Sequence, residues 1–318
     1  ALAYGDSPYA DICPNGDYDF YRFTGTAGDK VVVDIDASIY GSALDSYIYL
    51  LDSDGSTVLT LSDDDYVSLD SHLGYELPHD GDYFIKVKAW NHPSVGSPNH
   101  FYVLNLLTDD TDPIAEMEAP LNGSYLSAIT PITVTATDDH GVQRVEFLYH
   151  DGDWVNSEWQ WLGADWDGSD GWSLDWDASV ITDQSDIAIY IWAFDWVGHW
   201  NGAGSWNLTL DRTPPDTAVD ISQPYGDAPF RDFWVSWWNS QDNLSGIASY
   251  DVQYRDGAGG VWTNLLLGTT EVYTRFVGTD DHTYYFRVRA RDFAGNQSNY
   301  TLGDGDAQHT VAICDIAA

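Results

Sequence analysis

Positive charge is scarce in this chain: 12 Lys and Arg stand against 51 Asp and Glu, a formal net charge of −39 over 318 residues. A field of that sign repels nucleic acid and anionic lipid, so neither nucleic-acid binding nor membrane insertion is expected. Cysteine is almost absent. Cys13 and Cys314 are the only two and lie near opposite ends, with no C-x-x-C or Cys/His cluster to build a zinc or redox centre. No apolar run is long enough to cross a bilayer. No basic-then-apolar leader opens the chain, which reads as a mature or excised form. Amphipathic helices of three turns are missing as well. So are His-Glu-x-x-His, Gly-x-Ser-x-Gly and Gly-x-x-x-x-Gly-Lys, and a non-enzyme is expected. Only a paired-carboxylate glycosidase site would escape such a search.

What is present is aromatic. The 15 Trp and 21 Tyr help bring aromatic content to 15%, too much apolar surface for the disordered acidic tail that the charge alone would suggest. Segments such as Val31-Val32-Val33-Asp34-Ile35, Tyr83–Ala89 and Tyr284–Ala290 alternate or run apolar as strands do. Between them sit the turn pairs Asp54-Gly55, Asp80-Gly81, Asp151-Gly152 and Asp256-Gly257. The fold class is all-β. Two proline-stiffened stretches, Asp109-Asp110-Thr111-Asp112-Pro113 and Asp211-Arg212-Thr213-Pro214-Pro215, divide the chain into three tandem β-sandwich domains, 1–109, 110–213 and 214–318.

The second and third domains repeat one plan. Asp138-Asp139-His140-Gly141-Val142 answers Asp242-Asn243-Leu244-Ser245-Gly246-Ile247, and Ala193-Phe194-Asp195-Trp196-Val197-Gly198 answers Ala290-Arg291-Asp292-Phe293-Ala294-Gly295. With Tyr285-Phe286-Arg287-Val288-Arg289-Ala290, the third domain resembles a bacterial fibronectin type III module. Ala119-Pro120-Leu121-Asn122-Gly123-Ser124 and Gly141–Phe147 make the second similar to bacterial Ig-like modules, with a Trp-rich insertion around residues 154–176. The first domain resembles the bacterial pre-peptidase C-terminal domain through Gly16–Phe23, Leu44–Leu50, Ser62-Asp63-Asp64-Asp65 and Gly81–Val87. That resemblance implies a small non-catalytic sandwich appended to secreted enzymes, calcium-binding in some members.

Calcium needs six to eight oxygens, several of them carboxylates converging from separate loops. In the first domain Asp63, Asp64, Asp65 and Asp70, with Asp45, Asp17 and Asp19 on neighbouring segments, are the expected ligands; a solvated acidic loop is the competing reading. Asp52-Ser53-Asp54-Gly55 lacks EF-hand spacing and reads as a hairpin turn. Asp138, Asp139, Asp195, Asp242 and Asp292 cap their own turns or form smaller cation sites. The run Asp109-Asp110-Thr111-Asp112 is either a solvated linker or the seat of a joint-stiffening calcium.

Ten Trp fall between Trp154 and Trp206. Trp154, Trp159, Trp161, Trp166 and Trp172 stand in loop-like sequence beside Asp and Gly, and can pack over the sandwich edge, anchor an interface or stack on sugar rings. The expected protein is a calcium-supported extracellular or cell-surface structural or adhesive array. Its partners would be another surface protein, a glycan or itself: the ends of a stiff row lie too far apart for one disulfide, so Cys13 and Cys314 of successive subunits would link a head-to-tail filament, unless the row folds back or both stay reduced. Two other functions fit the same sequence, the C-terminal accessory region of a secreted peptidase and a carbohydrate-binding array.

Overall fold

The computed structural model describes residues 1–65, 68–216, 220–222, 232–238 and 240–311. The described residues are almost all strand and turn, and each sheet draws its strands from one stretch of chain. In the first domain β1 (Tyr9–Asp11), β8 (Phe101–Thr108), β3 (Lys30–Asp36) and β6 (His72–Glu76) form one sheet, in that order. The facing sheet runs β2 (Asp19–Gly25), β7 (Gly81–Ala89), β4 (Ser46–Leu51), β5 (Val58–Ser62). Period two decides what each strand buries. On β7 Tyr83, Ile85, Val87 and Ala89 enter the core, while Lys86 and Lys88 stay outside over the rings of Tyr18 and Tyr47. The turn between β4 and β5 closes because Asp54 accepts hydrogen bonds from the amides of Ser56 and Thr57 and the Thr57 hydroxyl, with Gly55 at φ 67°.

In the second domain a five-stranded sheet runs β10 (Tyr125–Leu126), β16 (Trp200–Leu210), β15 (Gln184–Asp195), β12 (Val142–His150), β13 (Gln160–Asp165). It faces a three-stranded one of β14 (Trp172–Asp177), β11 (Ile129–Thr137) and β9 (Ile114–Ala119). The Trp-rich stretch expected as a loop insertion is therefore partly strand: β13 pairs with β12 and β14 with β11. β14 carries the period-two pattern of a strand, with Trp172, Leu174 and Trp176 on the core side and Ser173, Asp175 and Asp177 outside.

The third domain places β17 (Asp220–Ser222), β18 (Asp232–Trp238) and β21 (Tyr273–Val277) against β20 (Thr263–Thr269), β19 (Ile247–Asp256), β22 (Thr283–Asp292) and β23 (Ala307–Thr310). Phe233, Val235 and Trp237 on one sheet meet Phe286, Val288 and Ala290 on the other. The described strands thus make a two-sheet, seven-strand sandwich.

Candidate cation centres at the domain joints

Among the described residues, three groups of acidic and histidine side chains bring potential ligand atoms within 4.8 Å of one another, and all three sit where one domain meets the next. The first joint holds two that share Asp109: one with Asp138, Asp139 and His140, the other with Asp195 and His199. Asp109 ends the first domain. Its amide continues the β8 ladder by donating to the Lys30 carbonyl at 2.9 Å, which fixes the carboxylate at the mouth of the joint, only 1% exposed. Oδ1 accepts from the Thr111 amide at 3.1 Å and hydroxyl at 3.3 Å, while Oδ2 is buried without a partner.

Across from it the turn between β11 and β12 supplies Asp138, whose Oδ1 caps the His140 amide at 2.8 Å and whose Oδ2 is likewise buried and unpartnered. Burial pushes the Asp138 carboxyl above its ordinary range, and the charges of Asp109, Asp139 and Asp195 push it further. Asp139 is held low, chiefly by the 2.6 Å hydrogen bond from the Thr111 hydroxyl. His140 Nδ1 lies 3.1 Å from Asp139 Oδ1 and 3.8 Å from Asp109 Oδ1, within ion-pair reach of both. Asp195, 1% exposed, gathers the amides of Val197, Gly198 and His199 on one oxygen and His199 Nδ1 on the other. The domains also touch directly. His72 packs on Trp196 with ring centroids 4.4 Å apart, and β6 comes so close that a Cβ on Gly74 would lie 2.2 Å from the Trp196 carbonyl oxygen.

The second joint repeats the geometry with Asp211, Asp242 and Asp292 but ties it together differently. Asp211 Oδ1 accepts from the Thr213 amide and Oδ2 from the Ser245 amide, both at 3.0 Å. The Asn296 side chain bridges Asp292 Oδ2 at 2.9 Å and the Asp211 carbonyl at 2.8 Å. Tyr125 stacks on Phe293 and donates to the Ser245 carbonyl. One carboxylate oxygen here, Asp242 Oδ1, is buried and unpartnered.

The expected first-domain ligands take other positions. Asp70 spends its carboxylate on the amides of Ala37 and Ser38 and the Ser38 hydroxyl. Asp65 caps Ser68, Asp17 accepts from the Tyr18 amide, and Asp19 accepts the Tyr102 hydroxyl at 2.6 Å. Asp45, Asp63 and Asp64 are neighbours: burial raises the Asp45 carboxyl and the charges of Asp64 and Asp63 raise it further. None of the seven falls in a group within 4.8 Å. The turn-and-linker Asp residues do, and the two histidines beside them escaped the sequence reading; their only signal was the recurrence of linker Asp, turn Asp and Ala-x-Asp in successive domains.

Of the tryptophans, Trp172 packs into the core margin, Trp166 lies under the Arg144 guanidinium at 5.2 Å and Trp161 is 65% exposed. Trp154 and Trp159 join other rings on the outer sheet face. Cys13 is half-buried; Cys314 lies outside the described residues.

Family models match two parts of the chain: the bacterial pre-peptidase C-terminal domain over residues 17–89 and the bacterial Ig domain over 113–191. A probable subtilase-type serine protease of Deinococcus radiodurans is 40% identical over 76 residues, 24% of this chain and 10% of that protein. The chain thus spans a small part of that relative. Solved structures with similarity include the fibronectin(III)-like modules of Clostridium thermocellum CbhA, at 13% identity and TM-score 0.37, covering 58% of this chain and 90% of that one. A tetra-tandem repeat from the extending region of a large adhesion protein matches at 16% identity and TM-score 0.27, covering 92% and 74%. Both matched domain types are typical of secreted proteins and typically non-catalytic. Residues 17–89 thus match the bacterial pre-peptidase C-terminal domain and residues 113–191 the bacterial Ig domain, and a further two-sheet β-domain follows them.

Proposed function

We propose that this chain is a non-catalytic extracellular structural or adhesive array whose first joint is stiffened by a bound calcium ion. The carrying observation is Asp109: a carboxylate 1% exposed, with one oxygen unpartnered and three further aspartates around it. Burying an unpaired anionic oxygen costs several kcal/mol, and like charges beside it add to that. A divalent cation reverses the sign of every one of these terms. Carboxylate oxygens arriving from a linker and two loops are a hard, flexible donor set of the kind calcium takes. The ion would join the end of the first domain to the turns of the second.

Small-angle scattering and thermal unfolding of the whole chain, in millimolar calcium and in EDTA, test this. Calcium should lengthen and narrow the particle and raise the unfolding midpoint, and Asp109→Asn should remove both responses. Identical profiles and midpoints with and without calcium would refute it. Zinc acting where calcium does not would reassign the site to the two histidines.

A second reading, accessory region of a secreted peptidase, draws on the partial identity with the Deinococcus protease. The intact mass of the polypeptide in its native source decides it, since that reading needs a catalytic domain in the same translation product. In either case residues 1–318 should hydrolyse neither protein nor glycan.

A further inference from the structure

We propose that the outer face of the five-stranded sheet in the second domain binds a neutral polysaccharide. The face is built by two adjacent strands. On β15 Ile189, Ile191 and Ala193 enter the core, so Tyr190 and Trp192 point outward. On β16 the outward row reads Trp200, Gly202, Gly204, Trp206, two indoles with a glycine floor between them. Tyr190 pairs with Gly204 and Trp192 with Gly202. A Cβ on Gly202 or Gly204 would come within 2.6 or 2.7 Å of the Tyr190 ring, so the missing side chains are what let that ring lie down across β16. Contacts then run unbroken along the face. Trp154 meets Trp206 at 5.9 Å, Trp206 meets Tyr190 at 6.3 Å, Tyr190 meets Trp192 at 5.1 Å and Trp192 meets Trp200 at 4.3 Å. Both ends of the row, Trp154 and Trp200, are 52% exposed.

The row borders a hollow of about 450 Å³ lined by Leu148, Trp159, Tyr190, Trp192 and Trp206. A second hollow, sharing Trp159, adds Ser157 and Glu158. The charge of the surroundings selects the occupant. No ionised group lines the first hollow, and Glu146, on the same sheet face, is neutralised by Arg144 at 2.8 Å. A basic partner would find no carboxylate in the first hollow and only Glu158 at the rim of the second. An anionic polymer, or a second copy of a chain carrying −39, would be repelled by the whole molecule. A neutral sugar chain meets neither obstacle. Its C–H faces stack on the rings, and its hydroxyls reach the indole N–H, the Tyr190 hydroxyl and the Ser157–Glu158 rim.

Affinity electrophoresis of the whole chain through gels containing soluble neutral glucans, galactans or xylans, with pull-down on cellulose and chitin, tests the assignment. At least one of these polymers should retard the protein. Trp192→Ala should weaken that binding at least tenfold, and Trp200→Ala, at an exposed end where folding is not at stake, several-fold. Gly204→Val, which fills the floor but removes no ring, should weaken it as well. EDTA and Asp109→Asn should leave it unchanged, which separates this site from the joint. Indifference to every neutral polymer, or undiminished retention of the Trp192 and Gly204 variants, overturns the proposal. Capture by a basic protein alone, or dimerisation abolished by Trp200→Ala, would assign the face to those partners instead.

Discussion

The two joints are built on the same three aspartates and solve the same problem in opposite ways. At the second, the protein supplies the donors: the Ser245 amide reaches Asp211 and the Asn296 side chain spans Asp292 and the linker carbonyl. At the first, the turn from Asp138 to Gly141 is one residue shorter than that from Asp242 to Gly246, and no amide reaches Asp109 Oδ2. The residue after the linker aspartate differs too. Arg212 grips Asp183 at 2.6 Å and the Ile181 carbonyl at 2.7 Å, whereas its counterpart is the exposed Asp110. At the second joint the chain supplies donors to both oxygens of its linker aspartate; at the first it leaves Asp109 Oδ2 without one.

The contrast breaks most visibly at Asp109. In calcium, Asp109→Asn should cost the stabilisation a bound ion supplies, about 4 kcal/mol at a thousandfold excess over the dissociation constant. In EDTA the same change should be neutral or stabilising, because it removes a repelled charge. Calorimetry of the variant in both buffers reads the sign change, and a loss of equal size in each would mean that the aspartate acts through the fold alone.

At the second joint, Arg212→Ala should cost about 1–2 kcal/mol with or without calcium. Burial opposes the ionisation of Asp183, but hydrogen bonds from Arg212 and Thr213 outweigh it and hold that carboxyl below its ordinary range. A depressed folded value places its contribution above the ordinary carboxylate range and removes it as pH falls through the lowered value. The wild type and Arg212→Ala should therefore converge in stability only at strongly acidic pH. Denaturant titrations across that range would show it, and a gap unchanged by acid would contradict it. Asn296→Ala, losing one bridge, should cost about 1 kcal/mol and leave the calcium response of the chain untouched. Least affected should be Trp161→Ala, within about 0.5 kcal/mol by the same titration.

The fold was legible because local chemistry settles it. Period-two runs such as Tyr83–Ala89 and turn aspartates such as Asp54 act within a few residues of themselves, so their sequence neighbours tell what they do. The Trp-rich stretch was misread as loop on its Asp and Gly content, although Trp172, Leu174 and Trp176 alternate with polar residues as a strand does. The joints were half legible. Asp138, Asp195 and Asp292 do cap their own turns, as expected, but a cap occupies only part of a carboxylate. Which oxygen is left over, and what it faces, depends on how one sandwich is set against the next, and that is not written within any single turn. The same limit applies in the first domain, where two of the expected ligands are engaged by partners that sequence distance concealed, Tyr102 on Asp19 and Ser38 on Asp70.

Gly74 gives the first joint a property that no carboxylate confers. Its β6 backbone rests against the Trp196 carbonyl, so main chain meets main chain beside the His72–Trp196 ring contact. A single methyl group there would act as a wedge. Gly74→Ala would force the surfaces apart by at least about 1 Å before ordinary contact distance is restored. The second domain would be displaced with its loop, and the domain that follows it in the chain would move as well.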